Sequence, residues 1–216
     1  RHGTPAPCLA VVGNPRFDGL QRNGARTASG VEAPRMLLAL SPTAVDTNVR
    51  LVSLVLEALA LLPSAKLIVK LHPGYREWGS VKKVITESPV TARVQVEHHC
   101  DLAPLLHWAD VTLVHRSTVA LDSLAVKTPV VVVGAGEPTV AEVDLPEAGL
   151  PSVSDAPALA ALVAPLADPQ EREAWLDCRA PGIERAVGPL DGRAAERIAD
   201  LLMADARVDR DRESPS

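Results

Sequence analysis

The stretch ADVTLVHRSTVALDSLAVKTPVVVV (109–133) decides the fold of this 216-residue chain. It contains an apolar run at 111–114, a polar loop, a segment at 117–126 with helical spacing, and a second apolar run at 129–133. The second run has no polar face, which is typical of an interior strand in a sheet that helices cover on both sides. A strand, a helix and a strand at this spacing predict two parallel strands joined by a crossover helix.

The same alternation extends in both directions from this stretch. Toward the N-terminus, strands are predicted at 36–40, 66–71 and 93–97, and helices at 46–62, 80–86 and 102–108. Toward the C-terminus come one short strand at 151–154 and helices at 156–166, 169–179 and 192–204. The pattern predicts an α/β fold, a doubly wound parallel sheet with a C-terminal helical tail.

The ends of the chain depart from this pattern. An apolar run at 8–13 stops at a glycine and predicts a strand or an extended linker, whereas 19–34 predicts a flexible loop. We therefore predict a linker and entry segment at 1–18, one Rossmann-like domain at 19–204, and a charged, disordered tail at 205–216.

The composition excludes several classes of function. Aromatic residues make up 2% of the chain, so single-strand nucleic-acid binding by base stacking is excluded. The 22 basic and 27 acidic residues give a net charge of -5, unlike a duplex-binding surface, and no apolar run approaches the roughly 18 residues of a membrane span. Three scattered cysteines, Cys8, Cys100 and Cys178, favour a reducing compartment over a disulfide framework. We expect a cytoplasmic protein without nucleic-acid partners.

The loops that follow strands carry the candidate site residues. In an open parallel sheet, ligands bind outside the carboxyl ends of the strands, so these loops are expected along one rim. The candidates are Gly13 in the loop 13–18, Ser41 and Thr43 in 41–43, His72 in 72–74, Arg116, Ser117 and Thr118 in 115–118, and Glu137 in 134–137.

The loop at 115–118 makes the strongest local case, which is for a phosphate site. Ser117 or Thr118 can cap the following helix, whose first turn leaves backbone N–H groups free to bind an anion beside Arg116. Asp122, one turn further on, can accept hydrogen bonds from a ribose diol. The same residues also suit an ordinary helix cap with a polar side chain behind it, and the local residues leave both interpretations open.

His72 is the second candidate for contact with a phosphate. It directly follows a predicted strand and precedes a proline, which favours an extended backbone. An imidazole held there can donate to a phosphate oxygen or act as an acid near neutral pH. A turn or capping histidine is the alternative interpretation.

Other site types are disfavoured by spacing. His98, His99 and Cys100 are consecutive, and ligand spacings such as H-x3-H or C-x2-C are absent, so no metal site is predicted. The absence of G-x-G-x-x-G, G-x-x-x-x-G-K-[ST] and G-x-S-x-G argues against a dinucleotide fingerprint, a P-loop ATPase and an α/β-hydrolase.

Four segments of the chain together carry a family resemblance. They are VVGNPRFD (11–18), KLIVKLHPG (66–74), the stretch at 109–133, and LDGRAAERIADLL (190–202). In this order they resemble the entry segment, the strand with a His-Pro motif, the strand–Ser–helix–acidic segment and the closing helix of the C-terminal half of GT-B glycosyltransferases. Within that fold, the CDP-glycerol glycerophosphotransferase-like, capsule Kdo-transferase-like and polysialyltransferase-like groups are the most similar. The resemblance spans most of residues 9–204.

The resemblance implies roles for individual residues. It implies that His72, Ser117 and Thr118 hold the phosphates of the donor, that Asp122 faces the ribose, and that Ser41 and Thr43 lie near the donor. The domain at 19–204 would then be the nucleotide-binding domain. The chain departs from the family where Lys127 and Thr128 replace a glycine and where Arg116 precedes the serine position. These departures leave the identity of the donor open.

The function implied is that of the donor-binding half of a glycosyltransferase in bacterial surface polysaccharide synthesis. Its donor would be a sugar or polyol activated by CMP, CDP or UDP, and its acceptor a glycan. Inverting GT-B enzymes are generally metal-independent at the donor phosphates, so no cofactor is expected. The chain begins with Arg1 rather than Met, and we expect an N-terminal acceptor domain ahead of it. Peripheral association with the inner face of the plasma membrane is also expected.

Two alternatives stay open at this point. A nucleotide-sugar 2-epimerase shares the fold and the GNP entry, but it has Asp-Ser-Gly-Gly where this chain has His-Arg-Ser-Thr at 115–118. A non-catalytic nucleotide-binding or interaction module is the other, and the departures at Arg116 and Lys127 favour it slightly.

Overall fold

The computed structural model describes residues 10–22, 33–74, 78–134 and 149–213 of the chain. The strands are β1 Arg35–Ala39, β2 Lys66–Lys70, β3 Val94–Glu97, β4 Val111–Val114, β5 Val130–Val133 and β6 Ser152–Val153. The helices are α1 Pro15–Arg22, α2 Val45–Ala60, α3 Gly79–Glu87, α4 Leu102–Trp108, α5 Val119–Ala125, α6 Ala156–Val163, α7 Pro169–Asp177, α8 Ala180–Val187 and α9 Ala194–Glu213. Short 3₁₀ turns lie at Thr91–Arg93 and Ala164–Ala167.

The strands form one parallel sheet in the order β3-β2-β1-β4-β5-β6. In this sheet β1 pairs with β2 on one side and with β4 on the other, so that Met36 lies opposite both Leu67 and Val111. The chain runs outward from β1 to β3 and then returns to add β4, so the strand order reverses between β1 and β4. The predicted doubly wound α/β fold is confirmed.

The sheet is buried on both faces, as the apolar strand pattern predicts. Met36 and Leu38 of β1 belong to the larger core cluster, which includes the buried face of α2. Leu37 and Ile68 point to the opposite face and pack with Leu106 of α4. Every residue of β5 is buried, so its unbroken valine run is explained by helices on both sides.

A buried ion network closes the amino-terminal edge of the sheet. Asp110, which precedes β4 and is fully buried, accepts from the backbone N–H of Arg35 at 2.9 Å and pairs with its guanidinium at 3.1 Å. Arg172 of α7 pairs with the same carboxylate at 3.0 Å and also donates to the carbonyl of Leu166. A buried carboxylate needs such partners, and here they bind β1, β4 and α7 together.

The entry segment is bound to α9, at the other end of the chain. Both carboxylate oxygens of Asp18 accept from α9, one from the N–H of Ala194 at 3.2 Å and the other from that of Ala195 at 2.9 Å. These N–H groups lack partners within the helix, so Asp18 acts as an N-terminal cap supplied from α1. Arg197 of α9 donates in return to the carbonyl of Val12 at 2.9 Å.

Gly13 is required at this junction by packing. Its φ is +82°, and a Cβ there would lie 3.1 Å from the carbonyl oxygen of Pro189 and 3.2 Å from Ala194 Cβ. Side chains rarely adopt this φ, and a Cβ would lie closer to these neighbours than ordinary van der Waals contact allows. Gly13 therefore packs against the start of α9 and the segment before it.

The sequence predictions are wrong for several loop and tail residues. The predicted loop at 19–34 is helical as far as Arg22, because α1 packs on α5 and α9. The predicted end of the last helix at 204 is also wrong, because α9 continues to Glu213 through the charged segment expected to be disordered.

Helix α8 was missed, although its early proline suits a first helical turn. Residues 23–32 and 214–216 lie outside the described residues, and the proposed boundary at residue 18 stays a prediction.

Helix α5 ends in a Schellman motif centred on Lys127. The N–H of Thr128 donates to the carbonyl of Ser123 at 2.9 Å, and the N–H of Lys127 donates to that of Leu124 at 3.0 Å. Lys127 has a φ of +58°, a left-handed conformation that glycine adopts without strain. Lysine therefore occupies a position at which the family resemblance expects glycine.

Replacement of Lys127 by Gly is expected to give a more stable protein than replacement by Ala. The difference in the free energy of unfolding should be about 1 kcal/mol, since alanine keeps the Cβ that is strained at positive φ. At Lys83, exposed in the interior of α3, the Ala variant should be the more stable by about 1 kcal/mol. Urea unfolding of the four variants measures both differences, and the same order at both positions would contradict the assignment of strain.

Candidate functional site

The loops after β1 and β4 meet where the strand order reverses. Ser41 Oγ donates to the carbonyl oxygen of Arg116 at 2.8 Å, which fixes one loop against the other. Asn48 of α2 supports this contact, since its amide donates to the carbonyl of Ser41 at 3.1 Å. Thr43 Oγ1 lies 3.2 Å from Asn48 Oδ1 and completes the group. In an open parallel sheet, this reversal point is the place where ligands bind.

Asn48 was missed by the sequence analysis, although a signal for it exists. It is fully buried and lies on the apolar face of α2, one turn before Leu51 and Val52. A polar side chain on a buried helix face requires hydrogen-bond partners, and here they are the residues of the β1 loop.

The loop after β4 is also fixed to β5. His115 Nδ1 lies 2.9 Å from the carbonyl oxygen of Val133, the last residue of β5. Ser117 Oγ accepts from the N–H of Val119 at 3.3 Å, so Ser117 satisfies one free N–H group at the start of α5. Thr118 occupies the N-cap position but makes no side-chain capping bond. Of the two capping candidates, Ser117 is therefore the one whose hydroxyl binds the helix.

His72 lies at the carboxyl end of β2, the strand next to β1. Its side chain is exposed, and Nδ1 accepts from the N–H of Gly74 at 3.1 Å. When Nδ1 of a neutral imidazole accepts, the proton is on Nε2, which can then donate to a ligand. His72 is therefore arranged as a hydrogen-bond donor at the same edge of the sheet.

Lys70 stabilises this end of β2 from inside the protein, and the sequence analysis missed it. Its ammonium group is buried and donates to the carbonyls of Leu71 at 3.0 Å and His98 at 2.7 Å. These bonds connect the ends of β2 and β3. The signal in the sequence was a lysine in an otherwise apolar strand.

Asp122 is buried beneath the start of α5 and bound to Arg16 of α1. Arg16 Nη2 and Asp122 Oδ2 are 2.6 Å apart, and the two side chains are 58% and 2% exposed. Burial raises the pKa of Asp122, while the neighbouring Arg16 guanidinium opposes that shift. The predicted ribose contact of Asp122 stays a prediction, and in this geometry Oδ2 of its carboxylate is bound by Arg16.

The structure brings only part of the predicted site together. Ser41, Thr43 and the carbonyl of Arg116 form one hydrogen-bonded group with Asn48, Ser117 and Thr118 follow Arg116 in the chain, and His72 ends the next strand. Gly13 contacts the start of α9 instead, as described above. Glu137 lies outside the described residues.

A cleft of about 390 Å³ lies elsewhere, between α5, α7 and α8. Its lining includes Lys127 after the end of α5 and residues 188–190 after the end of α8. Glu173, Asp177 and Glu184 line it together with that single lysine. Three carboxylates repel the phosphates of a nucleotide, so this cleft is a poor candidate for an anionic ligand despite its volume.

Two further observations concern metals and membranes. In the described ranges, no three His, Cys, Asp or Glu side chains are grouped so that they could hold a metal ion. Within these same ranges, each helix is too short or too polar to cross a lipid bilayer.

The fold is similar to that of several solved GT-B structures, although the sequence matches no protein-family model and no curated protein. A putative UDP-N-acetylglucosamine 2-epimerase from Listeria monocytogenes has a TM-score of 0.67 at 16% identity, covering 94% of this chain and 55% of that one. MnaA from S. aureus, solved with UDP, has a TM-score of 0.62 at 16% identity, covering 99% and 57%. A glycosyltransferase from Rickettsia africae has a TM-score of 0.59 at 13% identity, covering 86% and 54%.

This chain therefore spans about half the length of these structures. At these identities the similarity concerns the fold alone, and it confirms the Rossmann-like half of a GT-B fold. The narrower polysaccharide groups named by the resemblance stay a prediction.

We expect the buried Asp122 to give a pH-dependent contribution to stability. Its pKa in the folded protein is raised above the value in the unfolded chain, so its favourable contribution is complete below the unfolded pKa of about 3.9. That contribution is lost as the pH rises through the folded pKa. The free energy of unfolding of the wild type, relative to Asp122→Asn, should therefore decrease as the pH rises from below 3.9 toward neutrality.

Urea unfolding of both proteins at a series of pH values measures this difference. A difference that increases with pH would mean that Arg16 outweighs burial, and the assigned direction of the pKa shift would be wrong.

Proposed function

We propose that this chain is the donor-binding half of a GT-B glycosyltransferase that acts in bacterial surface polysaccharide synthesis. Its ligand would be a sugar or polyol activated by CMP, CDP or UDP. The observation that carries the proposal is the reversal of strand order between β1 and β4, with Ser41 bonded to Arg116 across it. Ligands of open parallel sheets bind at this point, and the candidate residues lie beside it.

The proposed phosphate contacts come from three residues at this edge. His72 has Nε2 available as a donor, because Nδ1 accepts from Gly74. The hydroxyl of Thr118 makes no capping bond to α5, which leaves it for a ligand. Ser117 holds the start of the helix in place through Val119. Hydrogen bonds to a charged phosphate are stronger than those between neutral groups, so a few such donors suffice for binding.

The solved neighbours support a nucleotide ligand in general terms. The structure of MnaA contains UDP, and a structure of HepE from Anabaena, with a TM-score of 0.52 at 16% identity, is a complex with UDP-glucose. Since the matched part of this chain covers only 57% and 48% of these two proteins, we propose that a second domain supplies the acceptor site and the catalytic base. A cytoplasmic location at the inner face of the plasma membrane belongs to the same proposal.

A 2-epimerase is the second candidate, since the Listeria monocytogenes neighbour is named as a putative enzyme of this kind. The segment at 115–118 lacks the epimerase pattern, which favours the transferase. Incubation with UDP-N-acetylglucosamine separates the two, because an epimerase releases the 2-epimer or its breakdown products without any acceptor. A protein that binds the nucleotide and turns nothing over would match the module alternative.

We expect the protein to bind at least one of UDP, CDP and CMP with micromolar to millimolar affinity. His72→Ala and Ser117→Ala should each weaken that binding by about tenfold, the loss of one hydrogen bond to a charged group. Isothermal titration calorimetry measures both effects.

Two control variants are matched to these substitutions. Ser88→Ala removes a serine whose Oγ accepts from the N–H of Val90 at 3.4 Å, in the same geometry as Ser117 but after the end of α3. His107→Ala removes an imidazole near the amino-terminal edge, at the end of α4. Both controls should bind nucleotide as the wild type does. The proposal is wrong if no pyrimidine nucleotide binds, or if the controls weaken binding as much as the site variants.

A further inference from the structure

The exposed guanidinium of Arg16 lies against the helix that starts the proposed site. Arg16 Nη2 is 2.6 Å from Asp122 Oδ2 in the first turn of α5, and that turn directly follows the loop at 115–118. In the family resemblance, the GNPRFD segment that contains Arg16 is only the entry to the domain. The resemblance assigns its arginine no role in the site.

The direction of α1 places Arg16 toward the carboxyl edge of the sheet. At the other end of α1, the carbonyl oxygen of Leu20 lies 3.3 Å from His107 Nε2. His107 is in the last turn of α4, which leads into the start of β4 at the amino-terminal edge. Helix α1 therefore runs from the carboxyl edge toward the amino-terminal edge, and Arg16 lies in its first turn.

Most of the hydrogen-bonding capacity of this guanidinium is available to a ligand. Among the described residues, it donates to Asp122 alone, through Nη2, and 58% of the Arg16 side chain is exposed. A guanidinium has five N–H donors in a fixed plane, an arrangement that matches the oxygens of a phosphate. Asp122 is almost fully buried, so its carboxylate fixes one side of the guanidinium while the other side faces solvent.

The ion pair is not needed to hold α1 in place. Phe17 is buried in the core, and the buried carboxylate of Asp18 makes two hydrogen bonds to the start of α9. The contacts of Phe17 and Asp18 anchor α1 next to the exposed Arg16. Helix α1 therefore keeps these contacts when the ion pair is broken, although the buried Asp122 carboxylate then loses its partner.

We propose that Arg16 binds a phosphate group of a nucleoside diphosphate and that Asp122 is the residue that positions it. The inference rests on the proposed function and adds a residue from outside the sheet loops to that site. It also replaces the ribose contact implied for Asp122, because the carboxylate is already engaged by the guanidinium. Arg16 would not increase the affinity for a nucleoside that lacks phosphates.

The test compares the affinities for UDP and for uridine, measured by NMR titration of the full chain. Arg16→Ala is expected to weaken UDP binding by about tenfold and to leave uridine binding unchanged. Asp122→Asn should weaken UDP binding less, because arginine stays but loses its fixed orientation. In the Arg16→Ala background, Asp122→Asn should have no further effect on UDP binding, since the two residues act as a unit.

Arg193→Ala is the matched control. Arg193 is 65% exposed and pairs with Glu196 at 2.7 Å, close to the values for Arg16, but at the start of α9. Its replacement should leave the affinity for UDP unchanged. Arg16→Gln serves as a second variant if Arg16→Ala has a lowered melting temperature, because it keeps a longer side chain without the charge.

The outcomes separate this inference from the function on which it rests. Unchanged UDP affinity in Arg16→Ala, with wild-type binding intact, overturns the role of Arg16 and leaves the proposed function standing. Equal losses for UDP and uridine also overturn it, since they indicate a structural effect. Failure of the wild type to bind any pyrimidine nucleotide overturns both proposals.

Discussion

The position of β1 between β2 and β4 is the constraint on which the rest of the structure depends. Because β1 forms parallel ladders on both sides, each connection must cross a face of the sheet, and helices cover both faces. The carboxyl ends of the strands then lie along a single edge. The loops that begin at Ser41 and His115 diverge from neighbouring strands at that edge, and their contact through Arg116 marks the point of reversal.

Contacts between distant segments complete this edge. The entry segment, the β4–α5 stretch and the start of α9 are far apart in sequence, yet α1 connects them. Arg16 binds α5, and Asp18 two residues later binds α9. Three of the four segments that carry the family resemblance therefore meet in one place. The entry segment supplies the guanidinium that pairs with α5 and the carboxylate that caps α9. These contacts give a structural reason for the three segments to occur in one chain.

The sheet and most of its crossovers could be predicted because their pattern is local. Val130–Val133 is an apolar run between a proline and a glycine, Lys66–Lys70 has an apolar centre, and α2 repeats its buried face every three or four residues. The helix α8 could not be placed as readily, since its proline and glycine resemble loop residues until the neighbouring α5 gives its apolar side a surface to cover.

The arrangement of the site was predictable only in part. That loops after strands share one edge follows from a parallel sheet, so the placement of Ser41, His72 and Ser117 could be anticipated. The partners of individual side chains could not, because they come from positions remote in sequence. Asp122 appears open to a ligand until Arg16, 106 residues earlier, is seen to bind it. The packing of Gly13 against the start of α9 likewise could not be read from the sequence.

The central claim is that a nucleotide binds at the carboxyl edge, where the strand order reverses. Titration of the ¹⁵N-labelled chain with UDP, followed by amide chemical shifts, tests it most directly. The account predicts that the largest shifts occur in the segments 41–43, 72–74 and 115–119. Shifts confined to Leu176, Ile183 and Leu190, which line the cleft between α5, α7 and α8, would place the ligand in that cleft and contradict the account.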